Sequence, residues 1–387
     1  MADADLVERV STRLVRSGEP PTAARVVAAL RAEGAMLGDR SVLDVVRAVT
    51  RELVGAGPLD PLLADPSTSD VLVNGPDEVW VDRGDGLTRA PVTFRDEAAV
   101  RRLAQRLAAS AGRRLDTAQP TVDARLPGGV RLHAVLPPIS PDGTVISLRI
   151  VGRRCYSLPD LEALGSLQPE MTAALRDLVA ARLAFLVTGG TGTGKTTPLS
   201  SLLSCVAPAE RIVVVEDSGE LAPDHPHVVR LEARLPNVEG AGAVGLRDLV
   251  RQALRMRPDR LVVGEVRGPE VVDLLAALNT GHDGGCGTLH ANTPEAVPAR
   301  LEALATAAGL GREALHSQLA AAVHAVVHLR RDRDGRRCVT EVAALQRDES
   351  GWVRAVPALE VGPTGVTASE GLDVLRGQFR TAAAYRR

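Results

Sequence analysis

The chain has 387 residues, of which 45% are hydrophobic, so it is long enough for two or three domains with well-formed cores. The formal net charge of −2 and the 2% aromatic content give no general attraction to nucleic acid or to an anionic membrane. The four cysteines form no C-x-x-C pair and the amino terminus lacks the pattern of a signal peptide, which excludes a typical zinc module and a disulfide-stabilised secreted domain. We therefore expect a soluble, cytoplasmic protein.

Five regions follow one another along the chain. Residues 1–55 are predicted to be a helical segment, because apolar residues recur at helical spacing. Residues 56–152, where short apolar runs alternate with glycine-containing turns, are predicted to form a small α/β domain, and a linker is predicted over 153–162. Residues 163–350 alternate buried strands with helices, which is typical of a doubly wound P-loop core, and residues 351–387 are assigned only as a C-terminal tail. The fold class is therefore predicted to be α/β.

A glycine-rich string follows the buried strand predicted at 183–188. It matches G-x-x-x-x-G-K-[ST], in which backbone N–H groups hold phosphates, the lysine reaches the β- and γ-phosphates and the following hydroxyl binds Mg²⁺. Lys195 is the single lysine among 46 basic residues, and an ammonium group fits between two phosphates where a bulkier, planar guanidinium would not. The string therefore predicts a site for ATP and Mg²⁺, with Thr196 as a metal ligand. The predicted nucleotide-binding residues are Gly189, Gly190, Thr191, Gly192, Thr193, Gly194, Lys195, Thr196 and Thr197.

Two acidic residues are predicted at the ends of further buried strands. Glu265 follows the apolar run that begins at Leu261, and Glu216 ends the run that begins at Arg211. Open α/β sheets bind ligands at the carboxyl ends of their strands, so both carboxylates are expected beside the phosphate loop. We expect Glu265 to act as the Walker B acid that holds Mg²⁺, and the two acids to share the orientation or deprotonation of the attacking water.

Two histidines bracket a short strand predicted next to the Walker B strand. His282 comes before this strand and His290 lies within Thr-Leu-His-Ala-Asn near its end. A single histidine is more often structural than catalytic, but the pair next to a Walker B strand favours a sensor of the γ-phosphate.

Arginines are concentrated in two places in the carboxyl-terminal part. Arg247, Arg251 and Arg255 lie in a row on the helix predicted over 246–256; this row is either solvated or supplies charge to the nucleotide of a neighbouring subunit. The segment 330–337 is predicted to be a solvated hairpin around Asp334-Gly335, flanked by strands over 326–329 and 339–345.

Taken together, the ordered motifs resemble those of the type II/IV secretion ATPase superfamily, most closely its tight-adherence (Tad, CpaF-like) branch, which includes members associated with conjugal transfer or Flp pili. The resemblance covers roughly residues 50–345. It is carried by the strings G-P-L-D-P-L-L-A-D, V-L-V-N-G-P-D-E-V-W-V, V-D-A-R-L-P-G-G-V-R-L-H-A, G-G-T-G-T-G-K-T-T, V-V-V-E-D-S-G-E-L, L-V-V-G-E-V-R-G, N-T-G-H-D-G and T-L-H-A-N.

The resemblance implies a homohexameric ring whose subunits bind ATP between an amino-terminal PAS-like domain and a carboxyl-terminal RecA-like domain. It assigns the catalytic acid of the family's Asp box to Glu216, with Asp217 and Glu220 in the same box. The other roles that it implies fall on Glu265 as Walker B acid, on His282 and His290 as the His box, and on Arg125 and Arg149 as arginines that approach the phosphates, with Arg234 and Arg247 as weaker candidates. The implied partners are polytopic inner-membrane platform proteins.

The sequence therefore predicts a cytoplasmic ATPase at the inner face of the membrane, which powers a Tad/Flp-type pilus or a secretion or conjugal-transfer machine. One alternative is a nucleic-acid translocase or helicase with a RecA-like core, which the net charge and the few aromatic residues disfavour. A second alternative is a scaffold that binds ATP without hydrolysing it. Pro198 departs from the family pattern just after the phosphate loop, but in a first helical turn it is expected to be tolerated.

Overall fold

A computed structural model describes most of the chain in two compact units, residues 1–153 and 154–387. The described residues are 6, 9–10, 13–14, 22–34, 41–46, 49, 55–84, 86–126, 128–150, 155–234, 236, 240–332 and 335–384. The first residues of the predicted linker, 153–154, and the predicted turn residue Asp334 lie outside these ranges. Within them, no helix is long and apolar enough to cross a membrane.

The first unit is built on an antiparallel sheet of six strands in the order β3-β2-β1-β6-β5-β4. The strands are β1 (Asp70–Gly75), β2 (Glu78–Asp82), β3 (Leu87–Arg89), β4 (Thr121–Arg125), β5 (Val130–Val135) and β6 (Val145–Ile150). Helices of this unit with both ends among the described residues are α1 (Ala23–Ala32), α2 (Asp60–Ala64) and α3 (Glu97–Ser110). Asp96 caps α3 by accepting a hydrogen bond from the N–H of Ala99, and the apolar face of this helix joins the core of the sheet.

The second unit contains a sheet of nine strands in the order β15-β14-β13-β12-β7-β11-β10-β8-β9. The six strands from β12 to β9 in this order are parallel, and β13, β14 and β15 extend the sheet as an antiparallel meander. The strands are β7 (Phe185–Gly189), β8 (Ile212–Glu216), β9 (Val228–Glu232), β10 (Arg260–Val266), β11 (Cys286–Leu289), β12 (Ala325–Arg331), β13 (Arg337–Arg347), β14 (Val353–Gly362) and β15 (Gly365–Ala368).

Helices cover both faces of this sheet, which is why the central strands read as continuous apolar runs. The helices are α4 (Leu158–Ala163), α5 (Pro169–Ala180), α6 (Thr196–Leu203), α7 (Leu246–Ala253), α8 (Glu270–Leu278), α9 (Val297–Ala307), α10 (Arg312–Ala322) and α11 (Gly371–Ala384). Helices α5 and α6 pack on one face, and α7 to α10 pack on the other. The predicted α/β fold class is confirmed.

Two segments carry more structure than the sequence patterns indicated. Residues 158–163, all but the last inside the predicted linker, form α4. Ser157 and Asp160 make a reciprocal capping box at its start, and Leu158 and Leu161 are buried in the core of the second unit. Residues 351–387, assigned only as a tail, contribute β14, β15 and α11, which close the end of the nine-stranded sheet.

Candidate functional site

The phosphate loop connects the end of β7 to the start of α6. Gly192 and Gly194 adopt left-handed backbone angles, with φ of 76° and 78°, which only glycine adopts without strain. A Cβ atom on Gly189 would lie 2.7 Å from the carbonyl oxygen of Leu329, so the neighbouring strand also requires glycine there. Thr193 fixes the turn by donating its hydroxyl to the carbonyl oxygen of Gly190, at 2.9 Å. The loop therefore places its backbone N–H groups at the start of α6, where anions bind favourably.

Lys195, His290 and Glu265 form a continuous line of hydrogen bonds across the end of the sheet. The Nζ atom of Lys195 lies 3.2 Å from Nδ1 of His290, and Nε2 of the same ring lies 2.7 Å from Oε1 of Glu265. An ammonium group can only donate, so Nδ1 must accept and Nε2 must carry the hydrogen that is donated to Glu265. The two neighbours thus define one tautomer of a neutral His290.

Strand order explains this arrangement. β11 lies between β7 and β10, with Leu289 in register with Thr188 on one side and Val266 on the other. Neighbouring strands are about 4.8 Å apart, so the ends of β7 and β10 are separated by about 10 Å. A side chain at the end of β11 can therefore contact both the phosphate loop and Glu265.

Burial governs the charge of Lys195. The ammonium group also donates to the carbonyl oxygens of Gly189 and Gly190, at 3.3 and 3.2 Å. Desolvation lowers the pKa of Lys195, and the negative charges of Glu265 and Glu220 oppose this shift. The ammonium group of Lys195 thus lies among backbone and carboxylate acceptors.

Glu216 lies at the end of β8 as a buried carboxylate. Its Oε1 atom accepts hydrogen bonds from the backbone N–H groups of Glu220 and Leu221, at 2.9 and 3.0 Å, whereas Oε2 is buried and accepts none from the described residues. Burial raises the pKa of Glu216 to about 7, although the two hydrogen bonds oppose the shift. A carboxyl group with this pKa can accept or release a proton near neutral pH. The close approach of Gly264 makes room for it, since a Cβ atom there would lie 2.5 Å from Cγ of Glu216.

Oxygen atoms suited to Mg²⁺ meet at the start of α6. The hydroxyl of Thr196 lies 3.3 Å from Oε2 of Glu220 and donates to it. Hydroxyl and carboxylate oxygens are the ligands that Mg²⁺ prefers, and this ion is commonly held by one or two carboxylates together with the phosphates of the substrate. Among the described residues, no group of three or more His, Cys, Asp or Glu side chains could hold a metal ion alone. The residues present therefore fit an ion that is bound partly through a nucleotide.

His282 is not part of this cluster. It comes before β11, at the edge where the parallel strands begin, and its Nδ1 atom lies 3.2 Å from the carbonyl oxygen of Ala277 in α8. The four residues of β11 span about 13 Å, so His282 and His290 lie at opposite edges of the sheet. Of the two histidines, His290 is the one that contacts Lys195 within one chain, and the nucleotide-sensing role predicted for both stays a prediction.

The predicted arginines belong to two separate parts of the chain. Arg125 and Arg149 belong to the first unit, where β5 separates their strands and Nε of Arg149 pairs with Asp70 at 2.8 Å. Arg247 and Arg251 in α7 both pair with Asp273 of α8, at 2.7 and 2.8 Å. The ion pairs with Asp273 favour a structural role for Arg247 and Arg251.

The sequence analysis missed two features of the site. Glu220 reaches Thr196, although the spacing of the acidic string gave no sign that its last residue turns back to the phosphate loop. A cleft of about 380 Å³ opens beside the loop and His290. Its lining residues are Gly190, Thr191, His290, Ala291, Asn292, Ala296 and Arg300.

Comparisons with known proteins agree with this geometry. Residues 52–355 match the family model described as type II/IV secretion system protein. A putative conjugal transfer protein of Mycobacterium tuberculosis is 61% identical over 327 residues, which are 83% of this chain and 93% of that protein. The probable conjugal transfer protein TrbB of Sinorhizobium fredii is 30% identical over 294 residues, which are 75% of this chain and 86% of that protein.

Two solved structures share the fold. The ATPase DotB of Legionella pneumophila aligns with a TM-score of 0.53 at 20% identity, over 78% of this chain and 80% of that one. The pilus retraction motor PilT with bound ADP aligns with a TM-score of 0.52 at 18% identity, over 85% of this chain and 88% of that one. The prediction of a RecA-like P-loop core is confirmed.

Proposed function

Because the chain belongs to the type II/IV secretion system protein family and is a P-loop ATPase, we propose that it powers a membrane-embedded machine as a cytoplasmic homohexamer. The machine would be a Tad/Flp-type pilus or a secretion or conjugal-transfer apparatus, and the chain would belong to the CpaF-like branch of the family. The names of its relatives in Mycobacterium tuberculosis and Sinorhizobium fredii support a role in transfer. Polytopic platform proteins at the inner face of the membrane would receive the mechanical work.

The observation that carries this proposal is the line of hydrogen bonds from Lys195 through His290 to Glu265. A phosphate that attracts the ammonium group of Lys195 must compete with Nδ1 of His290 for its hydrogen. The freed ring would then change its hydrogen bond to Glu265, so that the Walker B acid responds to the γ-phosphate. This coupling supports His290 as the sensor and Lys195 as the phosphate-binding cation.

Glu216 and Glu265 would divide the work on the attacking water. Glu265 holds its position through His290, whereas Glu216 has a pKa near 7 and a buried oxygen available to accept a proton. Mg²⁺, when bound with ATP, would neutralise phosphate charge; Thr196, Glu220 and Glu265 would be its neighbours. The two carboxylates would thus act from neighbouring strands, Glu216 from β8 and Glu265 from β10.

The hexamer would complete the site. We propose that Arg125 and Arg149 of the amino-terminal unit approach bound phosphates, as the family resemblance implies. Both side chains are exposed on one face of the six-stranded sheet, which is consistent with contact to an anion. Movement of this unit on the linker as ATP is bound and hydrolysed would deliver the mechanical output.

The core proposal is tested by measuring Mg²⁺-dependent phosphate release from the purified protein. We expect Lys195→Ala and Glu265→Gln each to lower the rate at least about a hundredfold, because each removes a charge that acts on the reacting phosphate. Glu313→Gln, which changes an exposed acid on α10, is the matched control and should keep the rate of the parent protein. Equal rates in all four proteins would refute the proposal.

Oligomeric state is tested separately by mass photometry in the presence and absence of ATP. We expect particles of six subunits, with ATP increasing their fraction. If the protein hydrolyses ATP but stays monomeric at all concentrations, the proposed ATPase activity would stand and the proposed hexameric motor would be refuted.

A further inference from the structure

The hairpin formed by β12 and β13 stands directly beside the phosphate loop. β12 is parallel to β7, with Leu329 in register with Gly189, so Arg330 and Arg331 continue past the end of β7. β13 returns in the opposite direction and begins at Arg337, which pairs with Arg331. The basic end of the hairpin therefore projects from the same edge of the sheet as the phosphate loop.

The pleat of β13 directs Arg337 toward this loop. Side chains two residues apart on a strand share a face, so Arg337 lies on the face of Val339. Val339 is buried in the core that contains Leu199 and Leu202 of α6, the helix that begins at the phosphate loop. One pleat beyond this core, Arg337 lies over the start of α6.

Contacts at Gly194 support this placement. A Cβ atom built on Gly194 would lie 2.9 Å from Cδ of Arg337 and 3.8 Å from both Nε and Nη1. The side chain of Arg337 is thus packed against the residue that precedes Lys195. Within the part of the chain that the structure describes, Arg337 forms no ion pair, whereas its neighbour Arg331 donates to the carbonyl oxygen of Gly335 at 2.9 Å.

We propose that Arg337 is a nucleotide-binding residue that contacts the α- and β-phosphates of the nucleotide bound by its own subunit. This inference rests on the proposed nucleotide site. The backbone of a phosphate loop holds the α- and β-phosphates, and the lysine holds the β- and γ-phosphates. A guanidinium group beside Gly194 is therefore next to the part that ATP and ADP have in common. Its forked N–H groups suit phosphate oxygens.

The position of Arg337 determines the expected result. Loss of its side chain should weaken the binding of MgATP and of MgADP by the same factor, about tenfold. The reason is that one charge-assisted hydrogen-bonding group to a partly exposed phosphate is lost. The KM for ATP should rise by a similar factor while kcat changes little, since the contact is made equally in the ground state and the transition state.

The experiment compares four full-length proteins in titrations with MgATP and MgADP by isothermal calorimetry. These are the parent protein, Arg337→Ala, Arg337→Lys and the control Arg336→Ala, which removes an equal charge from the residue immediately before β13. We expect an equal loss for both nucleotides in Arg337→Ala, partial recovery in Arg337→Lys and parent affinity in Arg336→Ala. Circular dichroism without nucleotide establishes that each variant is folded.

Three results would overturn the inference. Parent affinity in Arg337→Ala would show that the residue makes no contact. A loss confined to MgATP, with a fall in kcat, would move the contact to the γ-phosphate. An equal loss in Arg336→Ala would show a general effect of hairpin charge. If the parent protein bound no nucleotide, the proposed function itself would be refuted. That result differs from the three above, in all of which the parent protein binds nucleotide.

Discussion

Replacing Glu216 makes it possible to measure how strongly burial in the site disfavours a negative charge. We predict that Glu216→Gln makes the stability of the protein less sensitive to pH between 5 and 8. The carboxyl group is 3% exposed and its pKa is raised from 4.5 to about 7 by burial. The folded protein therefore holds a proton over a pH range in which the unfolded chain has released it.

The sign and size of the effect follow from this difference. A raised carboxyl pKa contributes no penalty below pH 4.5, and its destabilising effect grows as pH rises from 4.5 and is complete above about 7. The full penalty is about 3–4 kcal/mol, at about 1.4 kcal/mol for each pKa unit, and most of it develops between about pH 5 and 8. Glutamine keeps the oxygen that accepts from Glu220 and Leu221 but does not ionise. Its buried NH₂ group costs about 1–3 kcal/mol at every pH.

The assay is urea unfolding of the nucleotide-free protein at pH 5 and pH 8, followed by circular dichroism. We expect the difference in unfolding free energy between variant and parent to change by about 2–3 kcal/mol in favour of the variant from about pH 5 to 8. Other titrating groups are common to both proteins and cancel in this comparison. A difference that stays constant with pH would refute the claim that Glu216 is protonated by burial in the folded state.

Three further predictions concern other parts of the second unit. Lys195→Arg should lower the rate of phosphate release at least about a hundredfold without loss of folding, because the planar guanidinium group does not replace the ammonium group. Retained activity would refute the explanation given for the single lysine. Gly264→Ala should lower the unfolding free energy by about 1–3 kcal/mol and slow hydrolysis, because the added methyl group displaces Glu216; a parent-like urea midpoint would contradict the close approach. Arg260→Met should lower the unfolding free energy by about 2–4 kcal/mol, because Arg260 is 2% exposed and its 2.7 Å hydrogen bond to Glu210 is lost. Calorimetry should show that adding Glu210→Gln restores part of this stability. A fully additive second loss would argue against the pair.

The sequence was sufficient for the acids of the site because their positions depend on a short-range rule. Glu216 and Glu265 each follow a continuous apolar run, and the ends of parallel strands meet at one edge of the sheet. The same rule separates the two histidines, since His282 precedes its strand and His290 follows it. The position of each histidine relative to the strand could thus be read from the sequence, but their closeness in sequence led to their being grouped in one site.

Other features depended on register and packing that periodicity does not carry. Helix α4 is too short for a periodic signal, although the capping box of Ser157 and Asp160 marks its start. Arg337 was assigned to a solvated hairpin, because its approach to the phosphate loop requires knowing that β12 pairs with β7. Of the strands after residue 350, β14 pairs with β13 and β15 pairs with β14, and no local pattern specifies these pairings.

The place of β11 in the sheet also decides when the site can exist during synthesis. Lys195 and His290 are 95 residues apart, and β11 enters between two strands that are made before it. A growing chain that has passed Glu265 but has not reached His290 contains the phosphate loop and the Walker B acid with a gap of about 10 Å between them. The connection between these two groups forms only when a later strand is inserted. Within one subunit, the line of hydrogen bonds from Lys195 to Glu265 is therefore completed only after most of the parallel core has been synthesised.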